Sequence, residues 1–348
     1  MVKRKTDPKK SSKLQSFLDI KNQEMPEMMM TPRIAVWKKN KATLWHYPAK
    51  KKRYNIPILI IYSIINRPYI FDLGPGNSLI GAFGKEGYDI YLLDFGIPGY
   101  EDGNISIDEY ILDYIQKGVQ RVLRHSGAKE ISLLGSCIGG TLAAIYAAIA
   151  EEPIRNLILT VAPIDFEQVP QFDQWSEAMR EGKVSFDEIL DVFQIVPANA
   201  VKSGLRLMTS PVYISPLLSL LYRADDEEYV KWWRRFNAWT NDYIPLTSGA
   251  VKQMTHDLII DNKLIKGTLK IRGKKAKLNR IKANLLVIAS QNDRLVPNAM
   301  ISPIMGAVSS PDKTLHLLES GHAQMLYDDT LPAYYKEWLP ERSGSISQ

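Results

Sequence analysis

The stretch ISLLGSCIGG, residues 131–140, places the only cysteine of this 348-residue chain between two glycines. The residues before Cys137 are mostly apolar, as in a buried strand, and residues 139–150 (GGTLAAIYAAIA) predict a helix packed closely on a sheet. A strand that enters a helix through one strained residue presents that side chain at the top of the sheet. We therefore interpret Cys137 as a catalytic nucleophile rather than as a buried structural thiol.

Apolar runs alternate with helical patterns on both sides of this elbow. Ser106 and Glu109 form a capping box that begins a helix, and Gly127 is predicted to end it. The alternation predicts an α/β fold with a mostly parallel central sheet and helices on both faces. Strands are predicted at five further positions: residues 57–65, 89–95, 156–162, 284–290 and 314–318.

The alternation breaks between residues 165 and 280, where the sequence is helical and rich in turns. Insertions at the carboxyl ends of strands in such sheets lie over the functional site. We therefore predict a core domain formed by residues 31–164 and 281–342, with residues 165–280 inserted as a cap. Residues 1–30 are interpreted as a basic N-terminal extension and residues 343–348 as a tail. Four of the seven tryptophans fall in the insertion: Trp175, Trp232, Trp233 and Trp239.

The chain is basic, with a net charge of +6 and a calculated pI of about 9.0. Lysine and arginine are concentrated before residue 14 and between residues 38 and 53. Such clusters can contact anionic surfaces, CoA phosphates or nucleic acid, but a solvated tail and a solvated loop are the favoured interpretation. We therefore expect no nucleic-acid partner.

The cysteine count and the hydropathy pattern indicate the compartment. A single cysteine excludes an intrachain disulfide and is typical of a reducing cytoplasm. No apolar core follows the basic N-terminus, so a signal peptide is not predicted. The longest apolar stretch, residues 56–65, has about half of the roughly 20 residues that a spanning helix needs. We therefore expect a cytoplasmic protein with no transmembrane segment.

A cysteine nucleophile needs a base and an acid, which follow it in the order acid, then histidine, in folds with this elbow. Only His316 and His322, among five histidines, lie in the final strand region. His316 falls inside the predicted strand and is expected to pack or face solvent, whereas His322 follows Gly321 just past the strand end. Asp293 follows the preceding strand. We predict Cys137, Asp293 and His322 as the catalytic residues.

An oxyanion on an acyl carbonyl needs two preorganised N–H donors. One should be the backbone N–H of Ile138, the residue after the nucleophile, and the other should come from the loop after the first long strand, at about Ile65. No metal site is predicted, because the histidines and the cysteine lack paired ligand spacing. No phosphate-binding loop is predicted either, since residues 74–77 (GPGN) lack the lysine of a P-loop.

Further stretches occur in an order that is typical of one enzyme family. They cover most of the chain, from about residue 31 to residue 341: residues 57–73 with 75–78, 94–96 (DFG), 134–140 (LGSCIGG), 239–242 (WTND), 262–267, 293–297 and 321–322. On these residues the chain resembles the short, two-component (class III/IV) polyhydroxyalkanoate synthases, catalytic subunits that belong to the α/β-hydrolase superfamily. It departs from their pattern at Phe95, Arg294 and Ser136.

The resemblance implies an α/β-hydrolase fold and a covalent mechanism. Cys137 would attack the thioester of a short (R)-3-hydroxyacyl-CoA, such as 3-hydroxybutyryl-CoA, with His322 as the general base and CoA as the leaving group. The 3-hydroxyl of another unit, activated through His322 and Asp293, would then attack the protein-bound thioester and extend the polyester. The CoA thioester is the substrate, and no cofactor is implied.

The resemblance also implies partners and a location. The enzyme would work as a homodimer with a second, smaller synthase subunit, at the surface of polyhydroxyalkanoate granules in the cytoplasm. Two alternatives stay open on the sequence. One is a thioesterase or esterase that uses the same three residues with water as acceptor, and the other is a non-catalytic granule-surface protein that keeps the fold.

Overall fold

The computed structural model describes residues 24–167, 177–179, 181–209, 219–220, 222–323 and 330–346. The strands in chain order are β1 Ile34–Lys39, β2 Ala42–Tyr47, β3 Ile58–Ile61, β4 Asp72–Gly74, β5 Asn77–Ser78, β6 Ile90–Asp94, β7 Ile131–Ser136, β8 Ile154–Thr160, β9 Ile195–Val196, β10 Leu246–Thr247, β11 Lys270–Ile271, β12 Lys274–Lys275, β13 Asn284–Ser290 and β14 Lys313–Leu318. The predictions for residues 1–23, Trp175 and the last two residues lie outside the described residues.

Short helices connect these strands. The α-helices are α1 Leu79–Lys85, α2 Ile107–Glu109, α3 Gln116–Ser126, α4 Ile138–Ile149, α5 Asp187–Phe193, α6 Ala198–Thr209, α7 Glu227–Trp239, α8 Ser248–Gln253, α9 Asn298–Ile301, α10 Ile304–Ala307 and α11 Ala333–Trp338. Two π-helical segments, Tyr110–Ile115 and Met254–Ile260, continue α2 and α8. Single 3-10 turns are formed by Pro68–Phe71, Tyr100–Asp102, Leu278–Arg280 and Pro340–Arg342.

Eight of the described strands form one sheet in the order β1-β2-β6-β3-β7-β8-β13-β14. The pairs from β6 to β14 are parallel, while β1 and β2 add an antiparallel edge. The predicted α/β fold with a mostly parallel sheet is therefore confirmed. Because the carboxyl ends of parallel strands meet at one edge, the loops after β3, β7, β8, β13 and β14 are gathered on the same side of the molecule.

The core consists of two apolar layers, one on each face of the sheet. All four residues of β3 are buried, and they alternate between the layers, with Leu59 and Ile61 in one and Ile58 and Ile60 in the other. This alternation follows from the two-residue period of a strand. It explains why the central strands read as continuous apolar runs in the sequence.

The predicted strand at residues 57–65 is too long, because β3 ends at Ile61. The chain turns at Ser63, whose hydroxyl accepts a hydrogen bond from the Ile65 N–H at 3.1 Å. The loop is nevertheless buried and apolar, with Ile64 1% exposed. Burial of this loop, rather than strand structure, explains the apolar residues after Ile61.

The interpretation of residues 38–53 as a solvated loop is wrong as far as Tyr47, because Lys38 and Lys39 lie in β1 and residues 42–47 form β2. A two-residue turn that contains Asn40, with φ at 51°, joins β1 to β2. An edge strand of this kind leaves one face in water, and lysine there prevents pairing with another chain. Because β1 ends in two lysines and none of its residues is fully buried, it resembled a loop in the sequence.

The helix predicted from Ser106 begins with the expected capping box. The Ser106 N–H donates to the Glu109 carboxylate at 2.8 Å, while the Asp108 N–H donates to the Ser106 hydroxyl at 3.2 Å. The helix ends at Gly127, whose φ of 69° is the left-handed conformation that glycine adopts easily. Within the described residues, no helix is both long and apolar enough to cross a bilayer.

Candidate active site

Cys137 lies between β7 and α4 in a sharp turn. Its φ of 53° and ψ of −135° are rare for a residue with a side chain, and such backbone strain costs on the order of 1–3 kcal/mol. Two backbone hydrogen bonds hold the turn: the Cys137 N–H donates to the Thr160 carbonyl at 3.0 Å, and the Gly140 N–H donates to the Cys137 carbonyl at 2.8 Å. The thiol is partly exposed. This is the elbow that the sequence predicts.

The glycines around Cys137 are required by close backbone packing. A Cβ atom on Gly139 would lie 2.3 Å from the Ile61 carbonyl oxygen, and one on Gly135 would lie 2.5 Å from the Gly140 Cα. No side chain fits at such distances, and in both cases the obstructing atom is backbone. Helix α4 can therefore rest against β3 and β7 only if these positions remain glycine.

Asp293 and His322, far apart in the sequence, form a direct hydrogen bond. The His322 Nδ1 donates to the Asp293 Oδ2 at 2.7 Å. The other carboxylate oxygen accepts hydrogen bonds from the N–H groups of Leu295 and Val296, each at 2.9 Å. The Asp293 side chain is fully buried, whereas that of His322 is 23% exposed. The turn after β13 thus fixes the carboxylate, which in turn orients the imidazole.

The environment of His322 favours its charged form. Burial alone would lower its pKa, but the charges of Asp293 and Cys137 and hydrogen bonds to both side chains raise the pKa well above its usual value. The structure therefore brings together Cys137, His322 and Asp293, the three residues that the sequence predicts, with the imidazole between the sulfur and the carboxylate. Such an arrangement can pass a proton between the sulfur and the imidazole.

The two predicted N–H donors occupy different surroundings. Ile138 is the first residue of α4, where backbone N–H groups have no partner within the helix. The Ile65 N–H, in contrast, already donates to the Ser63 hydroxyl. It could bind an oxyanion only by giving up that hydrogen bond, so its role stays a prediction.

The sequence reasoning missed Tyr62, a tyrosine that lies beside the elbow. Tyr62 directly follows β3 and is buried, and its hydroxyl forms a hydrogen bond with Asn66. Burial raises the pKa of Tyr62 well above its usual value, as do the nearby charge of Cys137 and the hydroxyl of Tyr243. The only sequence feature that could have indicated a role for Tyr62 was its polar hydroxyl within the otherwise apolar stretch of residues 56–65.

A narrow cleft with a volume of only about 10 Å³ opens beside Tyr62, and none of Cys137, Asp293 and His322 lines it. Phe95, one of the departures from the family pattern, lines this cleft and packs edge-on against Tyr110 at 5.1 Å. The other two departures do not line it: Ser136 is buried in β7, and Arg294 is exposed. Phe95 is therefore the departure that shapes the surroundings of the cleft.

Residues of the insertion are attached to the loop after β3. The Trp239 Nε1–H donates to the Arg67 carbonyl at 2.9 Å, and the Ile244 N–H donates to the Ile65 carbonyl at 3.0 Å. Ile244 also lines the cleft. The end of α7 and the segment after it thus lie against the same loop that carries Tyr62.

Two of the remaining histidines, His316 and His256, lie in other surroundings. His316 in β14 packs against the Tyr334 ring at 5.1 Å, as expected for a packing residue. His256 pairs with Asp187 at 3.0 Å on an exposed surface. Across the part of the chain that is described, histidine, cysteine and carboxylate side chains form no group of three or more suited to a metal ion.

Comparison with known proteins identifies the family. Residues 56–329 match the model of the alpha/beta hydrolase fold, and residues 16–83 match that of the N-terminus of poly-beta-hydroxybutyrate polymerase (PhaC). Among solved structures, a monoacylglycerol lipase from Paleococcus ferrophilus is similar, with 14% identity and a TM-score of 0.48 over 80% of this chain and 90% of that chain.

Two relatives are both named poly(3-hydroxyalkanoate) polymerase subunit PhaC. The Haloferax mediterranei protein is 34% identical over 90% of this chain, which covers 64% of that protein. The Haloarcula marismortui protein is 30% identical over 92% of this chain, which covers 70% of that protein. Both relatives are therefore longer than this chain. On these matches, the chain belongs to the PhaC family of poly(3-hydroxyalkanoate) polymerases, within the alpha/beta hydrolase fold.

Proposed function

We propose that this chain is an acyltransferase that polymerises short (R)-3-hydroxyacyl-CoA into polyhydroxyalkanoate and releases CoA. The observation that carries the proposal is the imidazole of His322, which contacts both Cys137 at the elbow and the buried Asp293. A chain of the PhaC family that keeps a cysteine, a histidine and an aspartate in this geometry has what covalent acyl transfer requires.

The first half-reaction loads the enzyme. The Cys137 thiolate attacks the carbonyl carbon of the acyl-CoA thioester, and the N–H of Ile138 stabilises the resulting oxyanion. The bond between that carbon and the CoA sulfur then breaks, and the His322 imidazolium gives its proton to the departing CoA thiolate. The acyl group is left as a thioester on Cys137. One thioester replaces another, so the step is close to balanced in energy.

The second half-reaction forms the polymer. The 3-hydroxyl of another hydroxyacyl unit attacks the Cys137 thioester, and neutral His322 takes the hydroxyl proton. A carbon–oxygen ester bond forms while the carbon–sulfur bond breaks, which regenerates the thiolate beside the imidazolium. Asp293 holds the ring and stabilises its charge in both steps.

Exclusion of water decides between polymer and free acid. An ester forms only if a hydroxyacyl group rather than water reaches the thioester. Tyr62 is buried beside Cys137, and Ile244 of the insertion is buried against the same loop, which suits this requirement. We propose on this basis that residues 165–280 act as a cap over the elbow.

The remaining features of the function follow from the family. CoA enters as part of the substrate, so the reaction needs no cofactor. We propose a homodimer that works with a second synthase subunit at the surface of polyester granules in the cytoplasm. The growing polyester is a further partner, and units of three to five carbons are the expected substrates.

The proposal is tested with the purified chain and (R)-3-hydroxybutyryl-CoA, alone and with a candidate partner subunit. CoA release is followed by thiol titration, and the acyl product is analysed in the same tube. CoA release with insoluble polyester is the expected result, and Cys137→Ala should release none. CoA release with only free 3-hydroxybutyrate would instead identify a thioesterase.

A further inference from the structure

A second cleft lies on one face of the sheet, where β2 pairs with β6, and has a volume of about 110 Å³. Trp45 of β2 lies opposite Leu92 of β6, and Asp94 follows two residues later in β6, so the three side chains share this face. Residues of the loop after β3 and of the segment before β1 also line the cleft. None of the three predicted catalytic residues lines it, so this cleft is distinct from the candidate active site.

Two arginines bring hydrogen-bond donors into the second cleft: Arg33 from the segment before β1 and Arg67 from the loop after β3. The Arg33 guanidinium lies 4.4 Å from the centroid of the Trp45 ring, and its Nη1 donates to the Tyr47 hydroxyl at 3.0 Å. Neither arginine forms an ion pair with a described residue, and the Arg67 guanidinium forms no hydrogen bond with one. Because a guanidinium has five N–H donors and no acceptor, the cleft has donors available for an anion.

The two carboxylates of the second cleft are used differently. The oxygens of Asp72 accept from the Thr31 N–H at 3.0 Å and from the Thr31 hydroxyl at 2.8 Å. The Oδ1 of Asp94 accepts from the Gly96 N–H at 3.0 Å, whereas its Oδ2 accepts no hydrogen bond from the described residues. The two negative charges offset those of the two arginines, which disfavours a dianion such as phosphate. A monoanion that also carries a hydrogen-bond donor suits the cleft better.

The walls and the volume limit the rest of the ligand. Trp45, Tyr69 and Leu92 present aromatic and apolar surface, which suits carbon atoms. A closed cavity of about 150 Å³ holds benzene, so a cleft of this volume admits about five or six non-hydrogen atoms. A short carboxylic acid that carries a hydroxyl group meets these requirements.

We propose that the second cleft binds a short hydroxycarboxylate, whose carboxylate accepts from the Arg67 guanidinium and whose hydroxyl donates to the Asp94 Oδ2. A guanidinium and a carboxylate form two parallel hydrogen bonds, which fixes the direction of the ligand as well as its charge. Arg33 adds a second positive charge to the lining of the cleft.

The second cleft adjoins the narrow cleft beside Tyr62, because Arg67, Pro68 and Asp94 line both. A bound hydroxy acid therefore contacts the loop that lies next to the elbow. Under the proposed function, such an acid is the hydrolysed form of a short acyl substrate, so the cleft holds a hydrolysis product of that substrate. This consequence rests on the proposed function, whereas the binding itself is measured without any activity assay.

Binding is tested by titrating the full chain with 3-hydroxypropionate, observed by NMR of the ligand. We expect saturable binding that persists after Cys137, the only cysteine, is alkylated with iodoacetamide. Arg67→Gln should raise the Kd by on the order of tenfold or more, because hydrogen bonds between charged groups are lost. Arg67→Lys should raise it less, since the charge is kept without the fork of donors. Arg124→Gln, at an exposed arginine of α3, is the matched control and should leave the Kd unchanged.

The hydroxyl contact is tested by comparison with propionate, which lacks that group. Wild type should bind 3-hydroxypropionate more tightly than propionate. Asp94→Asn should lose most of this preference, because the asparagine oxygen can still accept from Gly96 while an NH₂ group replaces the Oδ2. Absence of saturable binding, loss of binding after alkylation of Cys137, or an unchanged Kd in Arg67→Gln would overturn the proposal. Equal Kd values of wild type for the two acids, or tighter binding of inorganic phosphate, would overturn it as well.

Discussion

The exchange Asp293→Asn removes one acceptor atom and one negative charge from the site while the shape of the side chain is kept. The asparagine carbonyl oxygen can still accept from the N–H groups of Leu295 and Val296, so the turn after β13 is kept. The Oδ2 that accepts from His322 at 2.7 Å is replaced by an NH₂ group, which cannot accept. The charge that raises the pKa of His322 is lost as well.

The size of the effect follows from these losses. A hydrogen bond to a charged group contributes about 1.5–3 kcal/mol, which corresponds to a loss of about 10- to 150-fold in rate. If His322 also adopts its other tautomer, the loss in rate approaches about 10⁴-fold, as for the same exchange in serine proteases. We therefore expect the turnover number for CoA release to fall by between about 10- and 10⁴-fold.

The assay is CoA release under saturating (R)-3-hydroxybutyryl-CoA, together with the pKa of His322 measured by NMR. The pKa should fall, because the carboxylate that favours the imidazolium is gone. Asp187→Asn is the matched control, since it breaks the exposed pair with His256 and should leave the rate unchanged. A rate for Asp293→Asn within about threefold of wild type, with an unchanged pKa of His322, would refute the assigned role.

Three further predictions concern other parts of the chain. Gly139→Ala should lower the free energy of unfolding by about 1–3 kcal/mol in urea titrations, because its Cβ would lie 2.3 Å from a backbone oxygen. The control Gly84→Ala has open space around the new Cβ and should not destabilise the protein. Burial alone would raise the pKa of Glu109, but the hydrogen bond from Arg272 helps to lower it from 4.5 to about 2. The stability that this carboxylate contributes is therefore present above pH 4.5, and the difference in urea midpoint between wild type and Glu109→Gln should shrink as the pH falls toward about 2. Cys137→Ser should keep the circular dichroism spectrum but lose most polymer formation, because the alkoxide forms less readily and its ester is a poorer donor; polymer at the wild-type level would exclude the thioester.

The sequence was sufficient for those parts of the fold that local patterns determine. The strand at Asn284–Ser290 and the capping box at Ser106 occur as predicted, because apolar runs and caps depend on neighbouring residues. The β1–β2 hairpin was missed, since an edge strand with one face in water carries lysines such as Lys38 and resembles a loop. The end of β3 was misplaced because the loop around Ile64 is buried, and burial alone makes a sequence apolar.

The candidate site likewise contains some residues that the sequence predicted and others that it did not. Cys137 was found from its flanking glycines, and His322 and Asp293 from the order of elements. Tyr62 and its hydrogen bond with Asn66 could not be found in this way, because their position beside the thiol depends on how the loop after β3 folds back onto α4. Side chains that reach a site through loop geometry leave no periodic signal in the sequence.

The central claim is that Cys137 carries the acyl chain as a thioester, and its most direct test is a rapid-quench experiment with radiolabelled (R)-3-hydroxybutyryl-CoA. The chain is denatured in acid within the first turnover, digested, and mapped by mass spectrometry. We predict label on the peptide that contains Cys137, released by hydroxylamine and absent from Cys137→Ala. Full CoA release with no label on that peptide, or with label on another residue, would contradict the covalent mechanism.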